Sequence, residues 1–322
     1  MGEQFTSLEI GSGVGGQALG LERAGFRPVM AIDNDVHACR TLRANRPDWN
    51  VTELDLKDFV GADYRIRTVD LLSGGVPSTP YSIAGKQEGA KDERDLLSVA
   101  VCLAIELQPR AIILETTPSL KMPKFAGVRK EVEAELEHLG YRWEWKVLDA
   151  QDFGVPQVRR SCLLLAMRPN DFMRFEWPEP THRTVPTVGE VLRESMASKG
   201  WRDADAWAAL ANRVAPTVVG GSKNHGGADL GPTRSKRQWM EVAVNAHGLG
   251  NDVPDADFVL DPSLGRDGVP KLTVEQVMKL QSLPDDWIVM GGKTARYKQV
   301  AQAVPPPLAE AVGRQIAAVL AQ

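Results

Sequence analysis

EIGSGVGGQALGLERAGF, residues 9–26, is the stretch on which the fold reading turns. It grows out of the short apolar run FTSLEIG, read as a strand, and passes into a helical pattern that Gly25 stops. Gly13, Gly15 and Gly16 stand between the two, where small residues let the backbone pass close to a ligand at a helix N-terminus. Asp33 closes the next strand-like run, RPVMAID, at the distance where a carboxylate can take both hydroxyls of a ribose. Asp55 closes VTELD, a third strand, and is placed to accept from an adenine amino group. Turns of this kind serve nicotinamide, flavin and S-adenosylmethionine proteins alike, and some are nothing more than tight turns. The stretch therefore sets a strand-turn-helix geometry without choosing its ligand.

Working outward, strand-like and helix-like patterns alternate through the first half. DVHACRTLRANRP reads as a helix ended by Pro47, TVDLLSGG as strand four, ERDLLSVAVCLAIELQ as a long helix and AIILE as a buried strand. VRKEVEAELEHLG is an amphipathic helix capped by Gly140, and YRWEWKVLDA and SCLLLAMR are closing strands. The alternation predicts an α/β fold with a doubly wound parallel sheet. Beyond Asn170 the pattern weakens, and EWPEPTHRTVPT carries three prolines in a short span. The expected organisation is residues 1–170 as the cofactor domain, 171–271 as a small irregular domain, and 272–322 as a C-terminal segment packing back on the first. TVEQVMKLQSLP and PLAEAVGRQIAAVLAQ are helices of that last segment.

Composition narrows the class. The chain has 322 residues, 43% of them hydrophobic, enough for a sizeable core. It holds no run of ~18 apolar residues and no basic, apolar start of a signal peptide, so a cytoplasmic protein with no membrane partner is expected. Cys39, Cys102 and Cys162 are scattered, which predicts inert core thiols and neither a disulfide framework nor a metal site. A net charge of -4 speaks against coating nucleic acid, so any DNA face must be local. The best basic cluster is VVGGSKNHGGADLGPTRSKRQW, residues 218–239, in which Lys223, Arg234, Lys236 and Arg237 face a single acid, Asp229; its glycines read as loop.

The whole chain resembles the DNA cytosine-C5 methyltransferase family, in motif order. The opening motif is matched by residues 9–26, the ribose motif by AIDNDVHACRTLRANRP, and the nucleophile loop by GGVPSTPYSIAGKQ followed by DERDLL. ETTPSL, FGVPQVRRS and YKQVAQAVPPPLAEAVG match the glutamate, arginine and closing motifs. The resemblance implies a Rossmann-like methyltransferase sheet with a small target-recognition domain, S-adenosyl-L-methionine held by Gly13, Gly15, Gly16, Asp33, Asp55 and Gln302, and double-stranded DNA as partner. It implies base flipping, with Lys223, Asn224, His225, Arg234 and Arg237 at the DNA, and phosphate contacts ahead of base contacts. A monomer is expected, with a partner methyltransferase subunit as the alternative.

The departures from the family cluster at the chemistry. Gly11 stands where a bulky residue usually lies beside the adenine, and Ser78 stands where a cysteine is needed. Glu-Asn-Val reads Glu115-Thr116-Thr117, the second arginine of the arginine motif is Ser161, and Gly-Asn-Ala reads Ala301-Gln302-Ala303. Carbon 5 of cytosine is a poor nucleophile until a thiolate adds at carbon 6. A serine hydroxyl is barely ionised near neutrality and does this poorly, whereas a cysteine pKa of ~8.5 lies within reach of activation. Loss of the second arginine removes a donor expected where charge develops on the base. Ser78-Thr79-Pro80-Tyr81 also matches three of four positions of the Ser/Asp/Asn-Pro-Pro-aromatic loop with which other enzymes methylate exocyclic amino groups. The expectation is an enzyme that flips cytosine, or a modified cytosine, holds it with Glu115 and Arg159, and methylates it without a cysteine adduct, Ser78, Pro80 and Tyr81 forming the loop. The alternatives are an inactive homologue acting as a DNA-binding or regulatory subunit, and a C5 enzyme with an engineered cysteine-to-serine change.

Overall fold

The computed structural model describes residues 4–76, 96–219 and 228–322. They form two units. The first comprises the described residues up to Asp149 together with Arg160–Glu179 and Leu308–Gln322; the second comprises Ala150–Arg159 and Pro180–Pro307.

The first unit is a seven-stranded sheet of order β3-β2-β1-β4-β5-β7-β6. β1 (Phe5–Ile10), β2 (Phe26–Asp33), β3 (Val51–Glu53), β4 (Leu71–Gly75) and β5 (Ala111–Thr116) run parallel. β6 (Arg142–Asp149) and β7 (Arg160–Met167) do not: each pairs antiparallel, which corrects the all-parallel expectation. The return from β6 to β7 is Ala150–Arg159, shorter than the dozen or so residues a parallel crossover needs. Strand order reverses between β1 and β4, so the ligand crevice of such a sheet opens at their C-terminal ends.

Local chemistry explains the helices around it. α1 (Gly16–Arg23) starts at Gly15, whose φ is 88°, and stops before Gly25, whose φ is 100°. α2 (Val36–Asn45) is capped by Asp35, which accepts from the amides of His37 and Ala38. α3 (Leu97–Leu107), α4 (Ala126–His138) and the single turn α5 (Pro169–Phe172) follow. Because side chains alternate across a strand, even positions such as Leu8, Ile32, Leu72, Leu114 and Leu164 share one core with Val101, Leu107, Val132 and Leu136 of α3 and α4. Odd positions of β1, β4 and β7 carry buried polar residues, Ser7, Glu9, Ser73 and Ser161. Cys39 and Cys162 are buried as expected of core thiols, but Cys102 is exposed on α3 and is not a core residue.

The second unit carries more regular structure than the weak periodicity of its sequence suggests. α6 (Val188–Ala197), α7 (Ala204–Leu210), α8 (Thr233–Met240), α9 (Val274–Leu280) and α10 (Lys293–Gln302) belong to it. Capping boxes begin both α6, from Thr187 with Glu190, and α9, from Thr273 with Gln276. Trp201, Trp207 and Trp239 are buried, the first two with their indole N–H groups on the carbonyls of Phe258 and Ala243. α11 (Pro306–Leu320) returns the chain to the first unit, where Gly313 lies against Leu21 and Ala24 of the α1 segment. No described helix is long and apolar enough to cross a membrane.

Candidate active site

In the first unit, the turn from β1 into α1 meets the end of β2. Asp33 accepts from the Gly13 amide at 2.7 Å and from the Asp35 amide at 2.8 Å, one bond on each carboxylate oxygen. The Asn34 amide also bears on this carboxylate, which keeps acceptor capacity for a further donor such as a ribose hydroxyl. Burial raises the Asp33 carboxyl above its ordinary pKa, against the lowering by the Asp35 and Gly13 amides. Gly13 has φ 53°, and nothing lies within 4 Å of where its Cβ would stand, so the turn presents bare backbone to open space. No side chain caps α1, leaving its first-turn amides for a ligand. Asp55, just beyond β3, accepts from the Lys57 amide at 3.0 Å. Gly13, Gly15, Gly16 and the two carboxylates thus lie along the C-terminal edge of one sheet, a donor and acceptor set that fits the carboxylate, ribose and adenine of S-adenosylmethionine.

Gly11 is forced by the backbone. Its φ is 55°, and a Cβ there would stand 2.5 Å from the carbonyl oxygen of Gly75. A bulky residue cannot enter at this spot without moving β1 from β4.

Glu115 lies near the end of β5, in register with Gly75 of β4 and Leu163 of β7. Its carbonyl accepts from the Val76 amide at 2.9 Å, which fixes the end of β4 beside Glu115. Ser78, Pro80 and Tyr81 themselves lie outside the described residues. Ser161 is buried in β7 with a hydroxyl that has no hydrogen-bond partner, and so is Thr116. Both are among the departures singled out in the sequence reading. Arg160, largely exposed, pairs with Asp149 at 3.4 Å.

Other residues of the expected site belong to the second unit. Arg159 donates through Nη1 to the carbonyls of Val218 at 3.1 Å and Ala301 at 3.0 Å. Gln157, fully buried, donates to Gln281 and Leu280 and accepts from the Val218 amide. The Tyr297 hydroxyl donates to the Val219 carbonyl at 2.6 Å, and burial, with Asp229 adding to it, pushes its pKa up. The three side chains therefore pin the strand of chain that leads into the glycine-rich segment. Gln302 is the exposed last residue of α10. Lys223, Asn224 and His225 lie outside the described residues. Arg234 and Arg237 do not lie on a loop: they are exposed, one helical turn apart, on α8, while Lys236 pairs with Asp229 at 2.8 Å. Glycines stop at Gly231, and Trp239, buried in the unit, anchors the helix; the glycines before it masked that signal in the sequence.

Sequence reasoning passed over Glu9, Gln17 and Ser73. Nothing marks them as functional in the sequence except an acid inside an apolar strand, a departure from what buried strands usually contain.

The family model described as C-5 cytosine-specific DNA methylase matches residues 5–318. The type II methyltransferase M.NaeI of Lentzea aerocolonigenes is 49% identical over 315 residues, covering 97% of this chain and 75% of the relative. M.NgoMIV of Neisseria gonorrhoeae, also a type II methyltransferase, is 45% identical, with 97% of each chain covered. Among solved structures, a putative DNA modification methyltransferase encoded within an Escherichia coli prophage superposes with a TM-score of 0.67 at 19% identity, over 99% of this chain and 100% of that one, and shares the fold.

Proposed function

The chain belongs to the C-5 cytosine-specific DNA methylase family, and we propose that it modifies cytosine in duplex DNA with S-adenosylmethionine by chemistry that uses no cysteine. Its type II relatives favour a sequence-specific, restriction-modification setting. Bound at the Gly13 turn, S-adenosylmethionine supplies an electrophilic methyl group. The protein's part is to hold the base. Glu115 takes the N3 and N4 edge of the flipped cytosine, and Ser78 accepts from the exocyclic amino group, whose lone pair is then aimed at the methyl carbon. With the cofactor bound, a nitrogen–carbon bond would form as the methyl–sulfur bond breaks, the demethylated cofactor would leave and the amino proton would pass to solvent, so no bond to carbon 6 would be needed. Arg234 and Arg237 of α8 contact phosphates.

The observation that carries this reading is the position of the three cysteines. Cys162 is the one next to Glu115, but it opposes Thr116 in register, so its side chain leaves the sheet on the face away from Glu115. Burial pushes its thiol up to about 11, far from the thiolate a nucleophile requires. Cys39, likewise raised to about 11 by burial, donates to the Asp33 carbonyl, and Cys102 lies on α3. Neither Cys39 nor Cys162 is therefore set up to supply the thiol that Ser78 lacks.

A second reading has its own support. Arg159 already bridges two backbone carbonyls, and Ser161 is too short to replace the lost arginine, which favours an inactive homologue that keeps the DNA surface. Mass spectrometry of nucleosides from cells with and without the chain separates the readings. The expected product is N4-methylcytosine; 5-methylcytosine returns the chain to cysteine-like chemistry, and unchanged DNA leaves the inactive homologue.

A further inference from the structure

Glu9 is 2% exposed on β1, the strand that leads into the cofactor turn. In register it lies beside Ser73 of β4 and Ala31 of β2, two residues before Gly11. The Ser7 hydroxyl donates to its Oε1 at 2.6 Å, and the Ser73 hydroxyl hydrogen-bonds to the same carboxyl. Ser73 Oγ in turn accepts from Gln17 Nε2 at 2.8 Å. Gln17 lies in the first turn of α1, directly after Gly16, and its Oε1 is buried with no partner.

The direction of these bonds matters. The Gln17 amide donates to Ser73, Ser73 to Glu9, and Ser7 to Glu9, so every donor in the chain runs toward the carboxylate. A proton added to Glu9 has no acceptor unless a link reverses. If Ser73 accepts it, the Ser73 hydrogen needs a new partner, and the unpartnered Gln17 Oε1 becomes that partner once the amide turns over. The cluster therefore has two bonding states, each leaving one end of the Gln17 amide unpartnered, and they differ at the first turn of α1.

We propose that Glu9 is a positioning residue for the cofactor turn: acting through Ser73 and Gln17 it fixes the start of α1 in its ionised state, so that S-adenosylmethionine binding expels the proton from Glu9. This rests on the cofactor reading given above. Burial raises the Glu9 carboxyl to about 7, the Ser7 and Ser73 hydroxyls opposing it, so both states are accessible near neutrality. Charged groups on the surrounding elements are engaged elsewhere: Asp33 of β2 with the Gly13 and Asp35 amides, Glu22 of α1 with Arg46, Asp70 before β4 with Thr6, and Glu310 of α11 with Arg314.

Calorimetry of the full chain with S-adenosylmethionine, from about pH 6 to about pH 8 in buffers of different ionisation enthalpy, tests the coupling. Wild type and Glu9→Gln share the ligand's own titration, so their difference reports Glu9. Wild type is expected to release more protons on binding than Glu9→Gln, and to gain roughly threefold or more in affinity over the variant across that range, within the ceiling of about tenfold per pH unit. Gln17→Leu, which removes both ends of the amide, is expected to flatten the profile likewise, and serves if Glu9→Gln does not fold. Binding with equal proton release and equal pH slope in wild type and both variants overturns the proposal while sparing the cofactor reading. No binding by wild type at any pH overturns both.

Discussion

Asp33 holds the Gly13 amide at 2.7 Å, tying the end of β2 to the turn that opens α1. Removing that carboxylate takes away an anchor of the turn together with a ribose acceptor. Asp33→Ala is expected to weaken S-adenosylmethionine binding by about 10-fold to 100-fold, the worth of one or two hydrogen bonds to a charged group. Asp33→Asn, which can still accept from Gly13, is expected to lose less. Calorimetric titration ranks the three proteins, and equal affinities would remove Asp33 from the cofactor site.

Gly11 and Gly75 meet too closely for any side chain between them. Gly11→Ala places a Cβ 2.5 Å from a carbonyl oxygen on a backbone of positive φ, and is expected to cost about 1–3 kcal/mol in denaturant unfolding. A Gly11→Phe change made to rebuild the usual motif is expected to destabilise the fold further and not to tighten cofactor binding. A stable, tighter-binding Gly11→Phe protein would show that β1 and β4 can separate there.

These two positions show what the sequence could and could not tell. The glycine turn and the acid at Asp33 that meets it were legible as a geometry, because a tight strand-turn-helix calls for glycines there and the Gly13 amide finds the Asp33 carboxylate. Gly11 was legible as a departure but not as a necessity, since the carbonyl it must avoid comes from β4, far along the chain. The β5-β7-β6 order was hidden for the same reason: periodicity identifies YRWEWKVLDA and SCLLLAMR as strands but not their direction. α8 was lost under the glycines that precede it, because composition over a window outweighs a helix of two turns anchored by one tryptophan.

Stability should fall as pH rises through neutrality because of Glu9. Its carboxyl is raised in the fold from an ordinary 4.5 to about 7, so the folded state binds the proton more tightly than the unfolded chain. The contribution is therefore fully present below about 4.5, declines from there, and is lost as pH passes about 7. The shift corresponds to about 3 kcal/mol at most. Glu9→Gln, neutral at every pH, is expected to flatten the stability profile between about pH 5 and about pH 8. Urea unfolding across that range checks it, and parallel profiles would show that Glu9 does not titrate there.

Arg234 and Arg237 are exposed on one side of α8. If both neutralise phosphates, Arg234→Ala combined with Arg237→Ala should reduce the slope of log affinity against log salt for duplex DNA by about 2. The loss should be similar for target and non-target sequences, because phosphate contacts do not read bases. Fluorescence titration at several salt concentrations measures both quantities. An unchanged slope would take α8 off the DNA.

The Ser78 hydroxyl separates product formation from covalent trapping. A C5 enzyme is caught on DNA carrying 5-fluorocytosine because its thiolate has added at carbon 6 and the fluorine blocks release. A protein that directs the amino nitrogen at the methyl group never makes that bond. Wild type is therefore expected to give no denaturation-resistant complex with such DNA, while still converting cytosine at its own site. Ser78→Ala removes one acceptor from the amino group and should slow conversion by about 5-fold to 150-fold, equivalent to the ~1–3 kcal/mol of leaving a buried donor unmet. Ser78→Cys supplies the missing thiol but not the second arginine, whose place Ser161 occupies, so the adduct's developing charge stays without its donor and little C5 methylation is expected. Electrophoresis under denaturing conditions reads the trap, and nucleoside mass spectrometry reads the product. Strong trapping and 5-methylcytosine from Ser78→Cys would mean that the altered motifs around Ser78 leave cysteine chemistry intact, and would overturn amino-group methylation as the native reaction.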